Sequence, residues 1–289
     1  MTEPLAELHV HLEGSIEPAT MAEIDPTVST EEVRSQYRYQ DFRGFLMAYK
    51  WVVLKLNSPE QYAIAAKRLK ETLQAQGITH AEINLSVGVM VWRKLDARAI
   101  VAAIQHELGN WPLIFDAVRQ FDPADAVRVA ELASEFDAGF GVGGDESARP
   151  LSEFQDAIAL AKGRFYPHAG ETSNAASVWD ALEHGARRIG HGIRALDDSA
   201  LCRELRDRKV PLEISISSNV ATGAIPNLEA HPVRRLFDLG IPVVLNTDDP
   251  AMFHTSLRRE YQIAQDTFGF SDSEMAILRQ NAFAYARIR

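Results

Sequence analysis

Residues 164–248 read RFYPHAGETSNAASVWDALEHGARRIGHGIRALDDSALCRELRDRKVPLEISISSNVATGAIPNLEAHPVRRLFDLGIPVVLNTD. Four short strand-like runs stand out: RFYPHAG (164–170), RRIGHG (187–192), PLEISIS (211–217) and PVVLNTD (242–248). Helical patterns separate them. Upstream, four more runs continue the series: LAELHVH (5–11), THAEINLS (79–86), LIFDAVR (113–119) and AGFGVGG (138–144). Ser58-Pro59 opens a helix with Tyr62, Ala65, Ala66, Leu69 and Leu73 at helical spacing and Gly77 as its stop. Asp122-Pro123 opens another, and Ser271 with Glu274 reads as a capping box. Alternating β and α elements imply a parallel sheet with helical crossovers. Eight such units in 289 residues predict a closed (β/α)8 TIM barrel, with an open doubly wound sheet as the rival. The connection over 12–78 is far longer than the others and must hold extra helices, such as one over 39–56 with Phe42, Phe45, Leu46, Tyr49 and Val53. Insertions after a barrel strand usually lie over the active-site face, so this one is expected to wall a pocket.

The rest of the composition narrows the class. No linker, repeat or low-complexity tract divides the chain, and residues 1–289 are read as one domain. With 46% hydrophobic and 24% charged residues, the chain fits a folded globular protein rather than a disordered one. Its net charge of −10 disfavours nucleic acid as a partner. A single cysteine, Cys202, excludes an intramolecular disulfide framework and any Cys-rich zinc site. No apolar run approaches the ~18 residues of a membrane-spanning helix. MTEPLAELHVHLEG carries no basic or apolar leader pattern. A cytoplasmic protein is expected.

The chemistry gathers at strand ends. In His9-Val10-His11 the two imidazoles share one face of a strand and can converge on a zinc-like divalent ion. His168-Ala169-Gly170-Glu171 ends the fifth run, Gly190-His191-Gly192 the sixth, and Asn246-Thr247-Asp248-Asp249-Pro250 the eighth. Taken singly, each has a bland reading: a structural histidine, a turn, a helix start. Together, four histidines and three carboxylates fall at the C-terminal ends of four strands, where barrel enzymes keep their active sites. Three His and one Asp with one open position make a catalytic metal site, which lowers the pKa of a bound water towards neutrality. A further His and Glu are then free to handle protons.

LHVHLEGS, HAGET, RIGHG and LNTDDPAMF resemble, in this order, the motifs of the adenosine deaminase family of the amidohydrolase superfamily. The resemblance spans nearly the whole chain and is weakest over 16–40. It implies a zinc-bearing (β/α)8 barrel that hydrolyses a 6-aminopurine nucleoside to its 6-oxo form and ammonia. By motif, it implies His9, His11, His168 and Asp248 as ligands of one Zn2+. It implies Glu171 as proton donor to purine N1, and His191 as the group that orients or deprotonates the water. Asp249 would meet N7, the Gly144 backbone would donate to N3, and Glu13, where the family usually has Asp, would lie near the ribose 5′-hydroxyl. The fourth strand ends in Val142-Gly143-Gly144, without the Lys that bridges two metals in dinuclear relatives, so one metal is expected. The other zinc deaminase class needs P-C-x-x-C, which one cysteine cannot supply.

DFRGFLMAYKWVV, NLSVGVMVWRK and SSNVATGAI further resemble a bacterial subgroup that deaminates 6-amino-6-deoxyfutalosine, a menaquinone precursor with a carboxyphenyl ketone at its 5′ end. Its carboxylate would favour a cation, for which Arg93, Lys94 and Arg149 are candidates, with solvated surface as their plainer reading. Trp92 and Tyr49 are expected to pack in the core or the insertion rather than line a pocket. His80, His106 and His184 read as surface residues in or beside helices, His231-Pro232 as a helix start, and His254 as a possible neighbour of the site. The rival functions are an amide or lactone hydrolase on the same barrel and a catalytically dead binding protein.

Overall fold

A computed structural model describes residues 3–287. Its eight strands are β1 (Leu5–His11), β2 (Ile78–Leu85), β3 (Leu113–Val118), β4 (Gly139–Gly143), β5 (His168–Ala169), β6 (Ile189–His191), β7 (Leu212–Ile214) and β8 (Val243–Leu245). All the strand pairs are parallel, β1 to β4 in order and β5 to β8 in order. Two isolated bridges join these halves. Phe140 pairs with Phe165, and Val10 pairs with Asp248. The second seam is carried by His11 N–H to Asp248 O at 2.8 Å and Asp248 N–H to His9 O at 3.1 Å. With both seams made, the sheet closes into the predicted barrel, with no free edge among the described residues.

The strands keep their period of two. In β1, Glu7, His9 and His11 share one face, and in β7 Glu213 lies between Leu212 and Ile214. The inward faces meet in a buried ionic layer. The Arg188 guanidinium pairs with Glu82 at 2.7 Å and with Glu213, and it donates to Tyr285 O at 2.9 Å. Buried charges are tolerated only when paired and hydrogen-bonded in this way.

The helices start where the sequence puts a cap. Ser58, Asp122 and Ser271 each accept a backbone N–H of the first turn, and Ser271 with Glu274 completes the capping box. Such caps contribute about 0.5–2 kcal/mol each. The long first connection holds helices Pro18–Ile24, Thr30–Gln36, Phe42–Lys55 and Pro59–Ala75. Phe42–Lys55 is the insertion expected over 39–56, capped by Asp41.

Two runs are shorter as strands than expected. Pro167 lacks an N–H, and ladder pairing beyond the Phe165 bridge is confined to His168–Ala169. PLEISIS leaves the sheet after Ile214, and Ile216 already begins the helix Ile216–Ala221. His80 lies in β2, half-buried beside Glu82, and not in a helical stretch.

Candidate active site

β1, β5, β6 and the segment after β8 bring their polar ends to one point. His9, His168, His191 and Asp248 each place a ligand atom within 4.8 Å of the others, as do His11, Asp248 and Asp249. His11 belongs with the first group as well. Its Nε2 is 3.3 Å from His9 Nε2, 3.2 Å from His168 Nε2 and 3.3 Å from Asp248 Oδ1. His9 Nε2 is 3.4 Å from the same Oδ1. Bonds of about 2.0–2.1 Å to a tetrahedral ion give ligand–ligand edges of about 3.3–3.4 Å. The spacing of His9, His11, His168 and Asp248 therefore fits a metal ion. His191 is set slightly apart, its Nε2 3.9 Å from Asp248 Oδ2 and 3.6 Å from Glu171 Oε2.

Local structure fixes these groups. Gly190 leaves room on β6 for the His9 ring, since a Cβ there would sit 2.8 Å from it. His191 and Asp248 both hold left-handed backbone, with φ of 65° and 64°. Such conformations cost about 1–3 kcal/mol in a non-glycine residue and cluster at functional sites. His9 Nδ1 lies 2.8 Å from Glu213 Oε2, the acid that Arg188 also holds. Burial would raise Glu213, but the Arg188 charge and His9 hold its carboxyl down to about 2. Asp248 Oδ2 accepts from Ser218 Oγ at 2.7 Å. Asp116, which accepts from Asn84 Nδ2 at 2.9 Å, lies 3.8 Å from His11 Nδ1. The outer partners of a ligating histidine orient the ring and raise its basicity.

Ionisation of two acids is disfavoured by their surroundings. Burial, then the neighbouring charges of Asp248 and Glu146, push Glu171 well above the carboxylate range. Burial and Asp248 do the same to Asp249. Glu146 Oε2 and Oε1 accept the backbone N–H groups of Gly170 at 2.7 Å, Glu171 at 2.8 Å and Thr172 at 2.9 Å, and Ser177 Oγ donates to Glu146 as well.

A cavity of about 390 Å³ opens above this floor. His11, His168, Glu171, His191, Asp248 and Asp249 line its buried end. Phe42, Leu46, Met47, Leu54, Trp92 and Phe121 line the rest, together with Lys50. Met47, Leu54 and Trp92 are 59%, 44% and 49% exposed, so this apolar part is the outer one. Trp92 stacks on Phe121 with ring centroids 5.1 Å apart.

Residues 4–288 match the family model described as adenosine deaminase. The chain belongs to the adenosine deaminase family.

Similar deaminases include an adenine deaminase of Sinorhizobium medicae, 33% identical over 97% of this chain and 93% of its own. An aminodeoxyfutalosine deaminase of Streptomyces avermitilis is 34% identical over 96% of this chain and 85% of its own. The crystal structure of an adenine deaminase from Arthrobacter aurescens superposes with a TM-score of 0.91 at 26% identity, covering 99% of this chain and 94% of that one. Members of this family are hydrolytic deaminases, and the buried His/Asp cluster is where this deaminase can hold a metal.

Most of the residues singled out in the deaminase sequence meet at the cavity floor. Gly144 lines the cavity at a φ of 91°, with Gln120 packed against it. Glu13 is different. It is fully buried, and its carboxylate accepts from Ser86 N–H at 3.1 Å and Tyr49 O–H at 3.2 Å, behind the cavity wall. Tyr49 and Trp92, expected as packing residues, both line the cavity because the insertion helix and the short helix Val87–Trp92 after β2 fold over it. Arg93, Lys94 and Arg149 do not line it. Arg93 donates to Val53 O, Leu56 O and Asn57, Lys94 lies in an outer groove beside Asp96, and Arg149 pairs with Glu153 at 2.8 Å. His254 is exposed and does not line it.

Three groups in or around the site carry little signal in the sequence. Glu213 was visible as a lone acid between Leu212 and Ile214 in an apolar strand. Glu146 had no signal beyond its place after Gly144. Lys50 is masked by the helical pattern around it.

Proposed function

We propose that the chain is a zinc-dependent deaminase of a 6-aminopurine nucleoside carrying an aromatic, anionic 5′ extension, with aminodeoxyfutalosine the substrate that fits best. The outer, apolar part of the cavity carries this reading. A free purine base covers the polar floor and leaves the cavity faces of Phe42, Leu46, Trp92 and Phe121 without ligand contact. An aryl extension fills that volume, and Lys50 stands beside it with no ion-pair partner among the described residues. Stacking of a ligand ring on Trp92 or Phe121 adds to simple burial.

His9, His11, His168 and Asp248 would hold the zinc. When bound, it supplies a Lewis acid that brings the pKa of a water close to neutral. The rest is done by side chains. Glu171, kept protonated by burial, gives its proton to N1 and makes C6 electrophilic. Protonated Asp249 donates to N7, and the Gly144 N–H meets N3. His191 orients the water that adds to C6. The C6–N6 bond then breaks. Of the water's two protons, one leaves with ammonia and the other restores Glu171. Glu13 supports Tyr49 and so shapes the wall rather than touching the ribose.

The likeness to adenine deaminases favours a second reading, in which the free base is the substrate. Side-by-side kcat/KM on adenine, adenosine and aminodeoxyfutalosine, with metal-loaded protein, tests both. The expected preference for aminodeoxyfutalosine is about 100-fold or more, since the outer pocket contributes only to that substrate. Equal or better turnover of adenine overturns the extended-substrate reading and leaves a purine base deaminase. Activity on none of the three, with acid released from an amide or lactone, would replace both.

A further inference from the structure

The segment after β7 and the start of helix Val233–Asp238 hold two buried side chains that the mechanism above does not use. Asn219 is 0% exposed and His231 is 4% exposed. They form an unbroken chain to His191. His231 Nδ1 accepts the Val233 backbone N–H at 3.2 Å. His231 Nε2 lies 3.1 Å from Asn219 Oδ1. Asn219 Nδ2 lies 3.0 Å from His191 Nδ1.

The direction of every bond follows from the first. A backbone amide can only donate, so His231 Nδ1 must be an acceptor. A neutral imidazole with an acceptor at Nδ1 carries its proton on Nε2. That proton is donated to Asn219 Oδ1. The Asn219 amide is thereby orientated with its NH2 towards His191, whose Nδ1 must accept. The flipped amide would ask His231 to accept at both nitrogens, which needs an imidazolate. Burial, the larger cause, pushes His231 down to about 3, so it is neutral near neutral pH.

We infer that His231 and Asn219 are positioning residues that fix the proton of resting His191 on Nε2, the nitrogen facing Glu171 and Asp248. His191 then meets the attacking water as a hydrogen-bond donor. Of the two roles open to it, orienting the water or deprotonating it, this tautomer selects the first. The inference rests on the proposed place of His191 beside that water. The tautomer itself is independent of the substrate.

The test combines a spectrum with a set of variants. In metal-loaded protein labelled with 15N-histidine, His191 is expected to show a protonated Nε2 and an unprotonated Nδ1. A protonated Nδ1 overturns the inference without recourse to any variant. Asn219→Asp keeps the shape but presents an acceptor to His191 Nδ1. It is expected to move the proton to Nδ1 and lower kcat about 100-fold or more, with KM and metal content little changed. His231→Gln can still accept from Val233 and donate to Asn219, and is expected to keep kcat within about threefold. His231→Leu cannot do either and is expected to lose about tenfold or more. Equal losses in the Gln and Leu variants would reduce His231 to a packing residue and overturn its part. The expected tautomer, with kcat indifferent to Asn219→Asp, would instead overturn the role given to His191 while leaving the relay in place.

Discussion

Glu146 accepts the backbone N–H of Glu171 at 2.8 Å, so one buried acid determines where another stands. The same carboxylate takes the N–H groups of Gly170 and Thr172 and the Ser177 hydroxyl. Glu146→Gln places an NH2 against donors. It is expected to destabilise the fold by about 1–3 kcal/mol, the cost of a broken charged hydrogen-bond set. Because the bonded loop carries His168 and Glu171, kcat is expected to fall too. Thermal melts and steady-state kinetics check both, and an unchanged melting temperature would contradict the bracing role.

The same contacts give a pH signature. Burial opposes ionisation of Glu146, but its bonds from Ser177, Thr172, Gly170 and Glu171 outweigh burial and hold it below the ordinary 4.5. A depressed carboxyl contributes stability that is fully present above its unfolded pKa and is lost as pH falls through the folded one. Wild-type stability is therefore expected to decline below pH 4.5, and to decline less steeply in Glu146→Gln. Denaturant titrations from pH 6 down to about 3 measure the two slopes. Identical slopes would show that Glu146 contributes nothing to acid sensitivity.

Glu171→Gln removes the proton destined for N1 and keeps the size of the side chain. A loss in kcat of about 10²–10⁴ is expected, the usual range for a general acid, with metal content unchanged. Turnover close to wild type, with metal confirmed by elemental analysis, would remove Glu171 from the mechanism.

Glu213 holds both His9 and Arg188 and lines no part of the cavity, so its substitution acts on the ligand shell and the ionic layer and not on substrate contacts. Glu213→Gln is expected to weaken metal affinity by about 10–100-fold. Competition against a chelator reads this directly. Unaltered affinity would mean that His9 needs no orienting acid.

Lys50→Met leaves the apolar wall and removes the charge. An exposed ion contact is worth little, so kcat/KM for aminodeoxyfutalosine is expected to fall by only about two- to fivefold, with adenosine unaffected. An equal fall for both substrates would assign Lys50 to the insertion's packing and not to a carboxylate.

What could be read in the sequence was whatever a short period could encode. LAELHVH is β1 residue for residue, and Ser271 with Glu274 is the capping box it looked like. The motif histidines and acids were legible because the ends of barrel strands meet. The pocket wall was not. Lys50 and Trp92 lie on helices whose orientation over the barrel depends on tertiary packing, while Arg93, nearer the expected place, is drawn off by the carbonyls of Val53 and Leu56. His231 was legible as a helix start and does accept the Val233 amide. Its reach to His191 through Asn219 spans two turns of chain that no local pattern connects.

The seam between Val10 and Asp248 has a consequence for how the protein is made. Asp248 joins β1 through its backbone while its side chain meets His9 and His11. During synthesis, three of the four proposed ligands leave the ribosome long before the fourth. The barrel and the proposed metal site are thus completed by the same late arrival, and a partly made chain is left with an open sheet edge and an incapable site together.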